Sequence, residues 1–167
     1  MSHIQEKSTC NNCNAYIIYE IEDSPIAWTD CTCNKNFQAE SKKSGDEFEE
    51  LVLQDLEFRG FDSILKNVYV EETGCEIDFL AYGSTIEYVE SKGGKDDVGK
   101  RPGAQRTDNV KKAIANGALI KSLNPETYYV VYFSARPIPN SYSDKMISLA
   151  LNKKIIDEVR YLDQKLL

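Results

Sequence analysis

The residues with the most chemical content lie in one short stretch: Glu76, Asp78, Glu90 and Lys92. On an extended strand, residues two apart leave the same face, so Glu90 shares a face with Lys92, and Asp78 with Glu76. Carboxylates brought close together repel unless a cation sits between them. Oxygen-only donors suit Mg²⁺ or Mn²⁺, which keep several waters and take further ligands from substrate phosphate. Lys92 beside them could orient a water activated by the ion or help deprotonate it. Together these groups could hydrolyse a phosphodiester bond. The competing reading is two strands with ordinary salt-bridging charges, because Glu-x-Lys alone is a common surface pattern.

Register decides between the two. Asp78 and Glu90 belong to consecutive strands joined by a short turn, which predicts antiparallel pairing. A two-residue turn at Gly83-Ser84 would set Asp78 opposite Val89 and send Glu90 to the other face. A three-residue turn at Tyr82-Gly83-Ser84, or one bulge, would set Asp78 opposite Tyr88, with Glu90 diagonal to it on one face. The sequence leaves both registers open. A third carboxylate is available from the preceding helix. Glu49 lies one residue round from Phe48 and in line with Leu53 and Leu56, so it borders the buried face and can look toward a sheet.

The elements that must position these groups can be traced along the chain. Ser44 and Glu47 have the spacing of a capping box, Phe48, Leu51, Val52 and Leu56 recur at helical intervals, and Gly60 suits a C-cap. That predicts a helix over 46–59. Strands are predicted at 64–71, 76–81 and 85–92, with turns at Thr73-Gly74 and Gly83-Ser84. A loop rich in Gly and Lys covers 93–103. A helix over 104–123 with Val110, Ile114, Ala118 and Leu119 inward ends at Asn124-Pro125. A strongly apolar strand, 128–134, is expected in the middle of the sheet. An amphipathic helix over 144–165 carries Ile147, Leu151, Ile155, Val159 and Leu162. The order is helix, three strands, helix, strand, helix, an α/β class. The chain divides into a small module, 1–40, and a larger domain, 41–167.

The small module holds four of the five cysteines. Cys10, Cys13, Cys31 and Cys33 form a CxxC and a CxC flanking a β-like run at 16–21. Four thiolates satisfy a tetrahedral zinc ion and leave no open position, so the zinc would be structural. Metal binding would then supply much of the folding free energy of a segment too small to bury a core. Two disulfides are the alternative. The polar N-terminus, without a hydrophobic signal core, predicts a cytoplasmic chain that is not secreted, and in that compartment zinc is favoured. The only histidine, His3, could substitute as a zinc ligand; no histidine remains to act as a base in the larger domain. Cys75 is expected to be a packed residue.

These segments resemble the PD-(D/E)xK nuclease superfamily, the restriction-endonuclease-like fold, over 44 to about 135. The superfamily's catalytic Asp matches Asp78, its (D/E)xK matches Glu90-Ser91-Lys92, and its helix-one Glu matches Glu49. Gly45-Asp46-Glu47-Phe48-Glu49 is similar to the Gly-x-x-Phe-Glu opening of the Mrr-like restriction enzymes. The resemblance implies an αβββαβ core with a mixed central sheet, a C-terminal helix, and a Mg²⁺ or Mn²⁺ ion held by Glu49, Asp78 and Glu90. Ile77 stands where the motif's name has Pro. Of the QxxxY pattern found in some members, Gln105 is present, but Asn109 replaces the Tyr.

Charge also bears on the substrate. Lys plus Arg is 20 and Asp plus Glu is 27, a net charge of −7 that argues against a general polyanion binder. The distribution changes this. From Ser91 to Lys121 eight basic residues face three acids, so that stretch is five positive and the rest of the chain is twelve negative. Six acids of that remainder lie within 46–59, against one base. Lys95, Lys100, Arg101 and Arg106, with Gln105, follow the Glu-x-Lys strand and could hold backbone phosphates; a solvated flexible loop is the other reading. The expectation is a Mg²⁺-dependent endonuclease acting on double-stranded or branched DNA. Its partners would be DNA, a second copy of the chain as homodimer, and a protein met through the zinc ribbon. No membrane span is expected, since no long apolar run exists. The alternative function is an inactive nuclease fold serving as a nucleic-acid or protein-binding adaptor.

Overall fold

A computed structural model describes residues 5–9, 16–20, 27–29, 33–94 and 101–162, with side chains from residue 45 onward. The chain divides into two units, Met1–Lys43 and Ser44–Leu167. In the first, β1 (Gln5–Thr9), β2 (Tyr16–Glu20) and β3 (Ala27–Thr29) form an antiparallel sheet in that order. Cys10, Cys13, Cys31 and His3 lie outside the described residues. Cys33 is the first residue of α1 (Cys33–Phe58).

That helix corrects the sequence reading at its start. It was expected to begin at 46 behind a Ser44 cap, yet it runs through Ser44. Gln38, Ala39, Glu40, Lys42 and Lys43 are good helix formers, and nothing before Gly45 opposes the hydrogen-bond ladder. Ser44 is therefore no N-cap, and Asp46 lies in mid-helix rather than at a dipole end. The other end is as expected: Gly60 takes φ +86, a conformation that costs glycine little.

The second unit is a mixed α/β structure around one five-stranded sheet. Its strands are β4 (Ser63–Val70), β5 (Cys75–Tyr82), β6 (Ile86–Lys92), β7 (Tyr128–Phe133) and β8 (Glu158–Tyr161), lying side by side in that order. β4, β5 and β6 are antiparallel; β6, β7 and β8 are parallel. A short 3-10 turn (Gly103–Gln105) and α2 (Thr107–Leu123) link β6 to β7. α3 (Tyr142–Asn152) links β7 to β8.

Two apolar layers hold the sheet. Phe48, Val52 and Leu56 of α1 pack on Phe79, Ala81, Val89, Val130 and Tyr132. On the other face, α2 and α3 bring Val110, Ala113, Ile120, Ile147 and Ala150 against Leu80, Tyr129, Val131 and Phe133. The buried stripe of α2 is Val110, Ala113, Gly117 and Ile120, whereas the expected Ala118 and Leu119 are exposed. The small residues at 113 and 117 let the helix approach closely. A Cβ on Gly117 would meet the Ile155 carbonyl oxygen and the Tyr129 ring, both at 2.7 Å. Val110 and Ile114 face inward as expected, but an apolar count does not register a glycine as a contact, so it places the C-terminal half of the stripe one step off.

The predicted C-terminal helix over 144–165 is, as far as residue 162, a helix and a strand; 163–165 lie outside the described residues. α3 starts at Ser141, whose side chain accepts from the Asp144 N–H, and stops at Lys153–Lys154, where Lys154 takes φ +56. β8 then pairs in parallel with β7, so β7 is flanked on both sides. Two forces override the helical periodicity. The edge of β7 is a row of buried backbone donors and acceptors that needs partners. Arg160, 9% exposed, reaches the buried Glu87 on β6 from its position in this strand. Among the described residues, no helix is long and apolar enough to cross a membrane.

Candidate active site

The β5–β6 register answers the question that the sequence left open. Tyr82 pairs with Ile86, Leu80 with Tyr88 and Phe79 with Val89. The connection is the three residues Gly83-Ser84-Thr85, not Tyr82-Gly83-Ser84, so the ladder is offset by two residues from the diagonal arrangement. Carried one step past Phe79–Val89, it sets Asp78 across from Glu90. Regular pairing stops there. On the other side of Asp78, Asn67 of β4 has φ +52, and the ladder skips from Lys66–Phe79 to Val68–Ile77. Ile77 packs with the α2 layer and Phe79 with the α1 layer, though they are two residues apart. The strand thus turns over at Asp78.

Beyond the last pair, the Asp78 carboxylate takes over from the backbone ladder. Its Oδ2 accepts from the Ser91 N–H at 2.6 Å and from the Ser91 hydroxyl at 2.8 Å. Glu90, 3% exposed, sits at the C-terminal end of β6. The Lys92 ammonium donates to its Oε1, and the Asn116 amide on α2 lies 3.4 and 3.3 Å from its two oxygens. Burial raises the Glu90 carboxyl above its ordinary pKa, and the Asp78 charge adds to this. The Lys92 charge and the hydrogen bonds from Lys92 and Asn116 pull it back.

Glu49 on α1, half-buried, belongs to the same electrostatic group. Burial raises its carboxyl, the Asp78 and Asp46 charges raise it further, and Lys92 and Lys66 lower it. Tyr129 lies beneath: burial first, then the charges of Glu90 and Asp78, push its phenol well up, while its hydroxyl donates to the Ala113 carbonyl at 3.1 Å. The fold therefore brings Glu49, Asp78, Glu90 and Lys92, separated by up to 43 residues in the chain, into one charged neighbourhood.

The chemistry of these donors fits a hard divalent cation. They are carboxylate oxygens only, and two of the three carboxyls, Glu49 and Glu90, are held above their ordinary range, first by burial and then partly by the charge of the third, Asp78, which a cation would relieve. Their side chains do not converge on one point, since Asp78 is turned to Ser91, and Glu90 to Lys92 and Asn116. Among the described residues, no three Asp, Glu, His or Cys side chains are gathered closely enough to enclose an ion. Glu76 is exposed and pairs with Tyr69 on the edge side of Asp78.

Of the expected phosphate contacts, Lys95 and Lys100 lie outside the described residues. Arg101 and Arg106 are exposed on either side of the short turn that holds the half-buried Gln105. Asn109, at the position of the missing Tyr, donates to the Gly103 carbonyl at 3.0 Å. This turn is tied to the end of β6 and to the segment after β7. Ser134 donates its N–H to the Lys92 carbonyl at 3.3 Å and its hydroxyl to the Gly94 carbonyl at 3.2 Å, and Ala104 donates to the Ala135 carbonyl at 3.1 Å. Cys75 is buried, with its thiol 3.9 Å from the Thr73 carbonyl.

Two residues of the neighbourhood were not singled out from sequence. Ser91 is the x of Glu-x-Lys, and nothing in that motif marks it. Asn116 interrupts the apolar side of α2 next to Gly117, a polar residue beside a close-packing one, but no local spacing ties it to Glu90, 26 residues away. The chain matches no family model and no curated protein.

Proposed function

We propose that this protein is a Mg²⁺- or Mn²⁺-dependent endonuclease that hydrolyses phosphodiester bonds of DNA, with the site built on Glu49, Asp78, Glu90 and Lys92. One observation carries the reading. A register offset and a strand turnover bring Asp78 to Glu90 and Lys92 at the C-terminal end of β6, beside a parallel neighbour, where open α/β sheets bind their ligands. The order helix, three strands, helix, strand around a mixed sheet supports assigning the unit to the PD-(D/E)xK type.

In this reading Glu49, Asp78 and Glu90 hold the cation, which supplies positive charge to the phosphate oxygens and to the attacking water. Lys92 orients that water by hydrogen bonding, once its ammonium is released from Glu90. Arg101, Gln105 and Arg106, with Lys95 and Lys100 of the same loop, grip the backbone on either side. Such contacts carry no sequence information and weaken with salt. Cys10, Cys13, Cys31 and Cys33 would hold a structural zinc in the N-terminal unit, a surface for a protein partner.

The test is a cleavage assay with the full chain on supercoiled, linear and branched DNA and on RNA, with Mg²⁺ and with chelator. Cutting of DNA that needs the ion and is lost in Asp78→Asn and Lys92→Met supports the proposal. Cutting that persists in both variants overturns it, and binding without cutting in the parent favours the adaptor.

A further inference from the structure

We infer that Asn116 is a positioning residue: its side-chain amide, brought to Glu90 by the close approach of α2 to the sheet, orients the Glu90 carboxylate for a divalent cation. This rests on the reading of Glu90 as a cation ligand. Two independent observations carry it. The first is the amide itself, which spans both oxygens of a carboxylate that is 3% exposed. Its only other side-chain donor among the described contacts is Lys92.

The second is the way α2 is seated. Asn116 adjoins Gly117, where a side chain would strike the Tyr129 ring and the Ile155 carbonyl at 2.7 Å. The Tyr129 hydroxyl also ties down the Ala113 carbonyl one turn earlier. Glycine at 117 and the Tyr129 bond fix the depth of this turn, and that depth puts Asn116 against β6. A helix one methyl further out would carry the amide away from hydrogen-bond range, which the contacts at 3.3 and 3.4 Å already border.

The chemistry of the pair differs from that of Lys92. An ammonium competes with a metal ion for the same carboxylate charge, so Lys92 must yield when a cation arrives. A neutral amide donor fixes the direction of the carboxylate without cancelling its charge, and it can stay in place. Partners of this kind, one step outside the ligands, commonly tune metal affinity 10- to 100-fold.

The experiment is Mn²⁺ titration by calorimetry on the full chain, comparing the parent with Asn116→Ala and Asn116→Gln. Alanine suits a helix interior, so the fold is retained, and the metal-free melting temperature should fall only modestly through the lost hydrogen bond to Glu90. The expected result is Mn²⁺ affinity about ten-fold weaker in Asn116→Ala, with a smaller loss in Asn116→Gln, which keeps the amide. Cleavage by Asn116→Ala should drop at limiting Mn²⁺ and recover at saturation. If the parent binds Mn²⁺ and Asn116→Ala binds it equally well, the positioning role is overturned and the function stands. If the parent takes up no Mn²⁺, the function falls and this role with it.

Discussion

Asp78 and Ser91 are joined twice: one carboxylate oxygen of Asp78 accepts both the N–H of Ser91 at 2.6 Å and its hydroxyl at 2.8 Å. The pair lies just past the last regular rung between β5 and β6, so a side chain continues there what the backbone ladder stops doing. The middle residue of Glu-x-Lys thus holds the Asp in place. Ser91→Ala keeps the N–H bond and loses the hydroxyl bond, and should cost about 1–2 kcal/mol in urea unfolding. A variant as stable as the parent would show that the hydroxyl adds nothing net.

Lys92 compensates a buried charge. The Glu90 carboxyl is raised mainly by burial, with the Lys92 charge the largest effect opposing it. A raised carboxyl contributes stability that is full below the ordinary value of 4.5 and is lost as pH rises through the raised one. Lys92→Met raises it further, so the metal-free variant should melt well below the parent at pH 8 and close to it at pH 5. Equal losses at both pH values would mean that Lys92 acts through packing.

Glu158 has the opposite sign. Its carboxyl is held below the ordinary range, first by the hydrogen bond from Arg160, with burial opposing and the Arg160 charge assisting. Its contribution is complete above the ordinary value of 4.5 and is lost as pH falls through the lowered one. Glu158→Gln should therefore flatten the acid limb of a melting-versus-pH curve and leave its neutral and alkaline parts parallel to the parent.

Among the described residues, Arg160 and Glu87 form the most enclosed ion pair, with two bonds at 2.7 and 2.8 Å. Arg160 also donates to the Tyr132 hydroxyl at 2.9 Å, which itself donates to Asp55 on α1 at 2.8 Å. Removing one partner strands a buried charge, so Arg160→Met should cost on the order of 3–5 kcal/mol. The double variant Glu87→Gln, Arg160→Met should be markedly more stable than Arg160→Met alone. Chemical denaturation of all four forms closes this cycle.

Gly93 sets the distance between α1 and the end of β6. A Cβ there would lie 2.6 Å from the Phe48 Cβ, and Phe48 is the neighbour of Glu49. Gly93→Ala should destabilise by about 1–3 kcal/mol through overpacking and, by pushing α1 outward, weaken Mn²⁺ binding. Gly45→Ala, in the same helix with nothing within 4 Å of the added methyl, is the control and should do neither.

The sequence by itself determined the element types that rest on local chemistry. Phe48, Val52 and Leu56 recur with the helical period, the turns at Gly74 and Gly83 end strands, and Asp78, Glu90 and Lys92 stand out by residue type. It also located the basic stretch beside them, because charge is additive along a chain. Tertiary structure decided everything that depends on which backbone groups need partners. Helical periodicity at 147–162 gave way to a strand at 158–161, because the edge of β7 and the Glu87 carboxylate had to be satisfied. The pairing of Asp78 with the end of β6 was equally hidden, since a one-residue change in a hairpin loop moves every side chain to the other face. That register, the turnover across from Asn67 and the depth of α2 at Gly117 are set by packing between distant segments, so spacing could name the carboxylates but not bring them together.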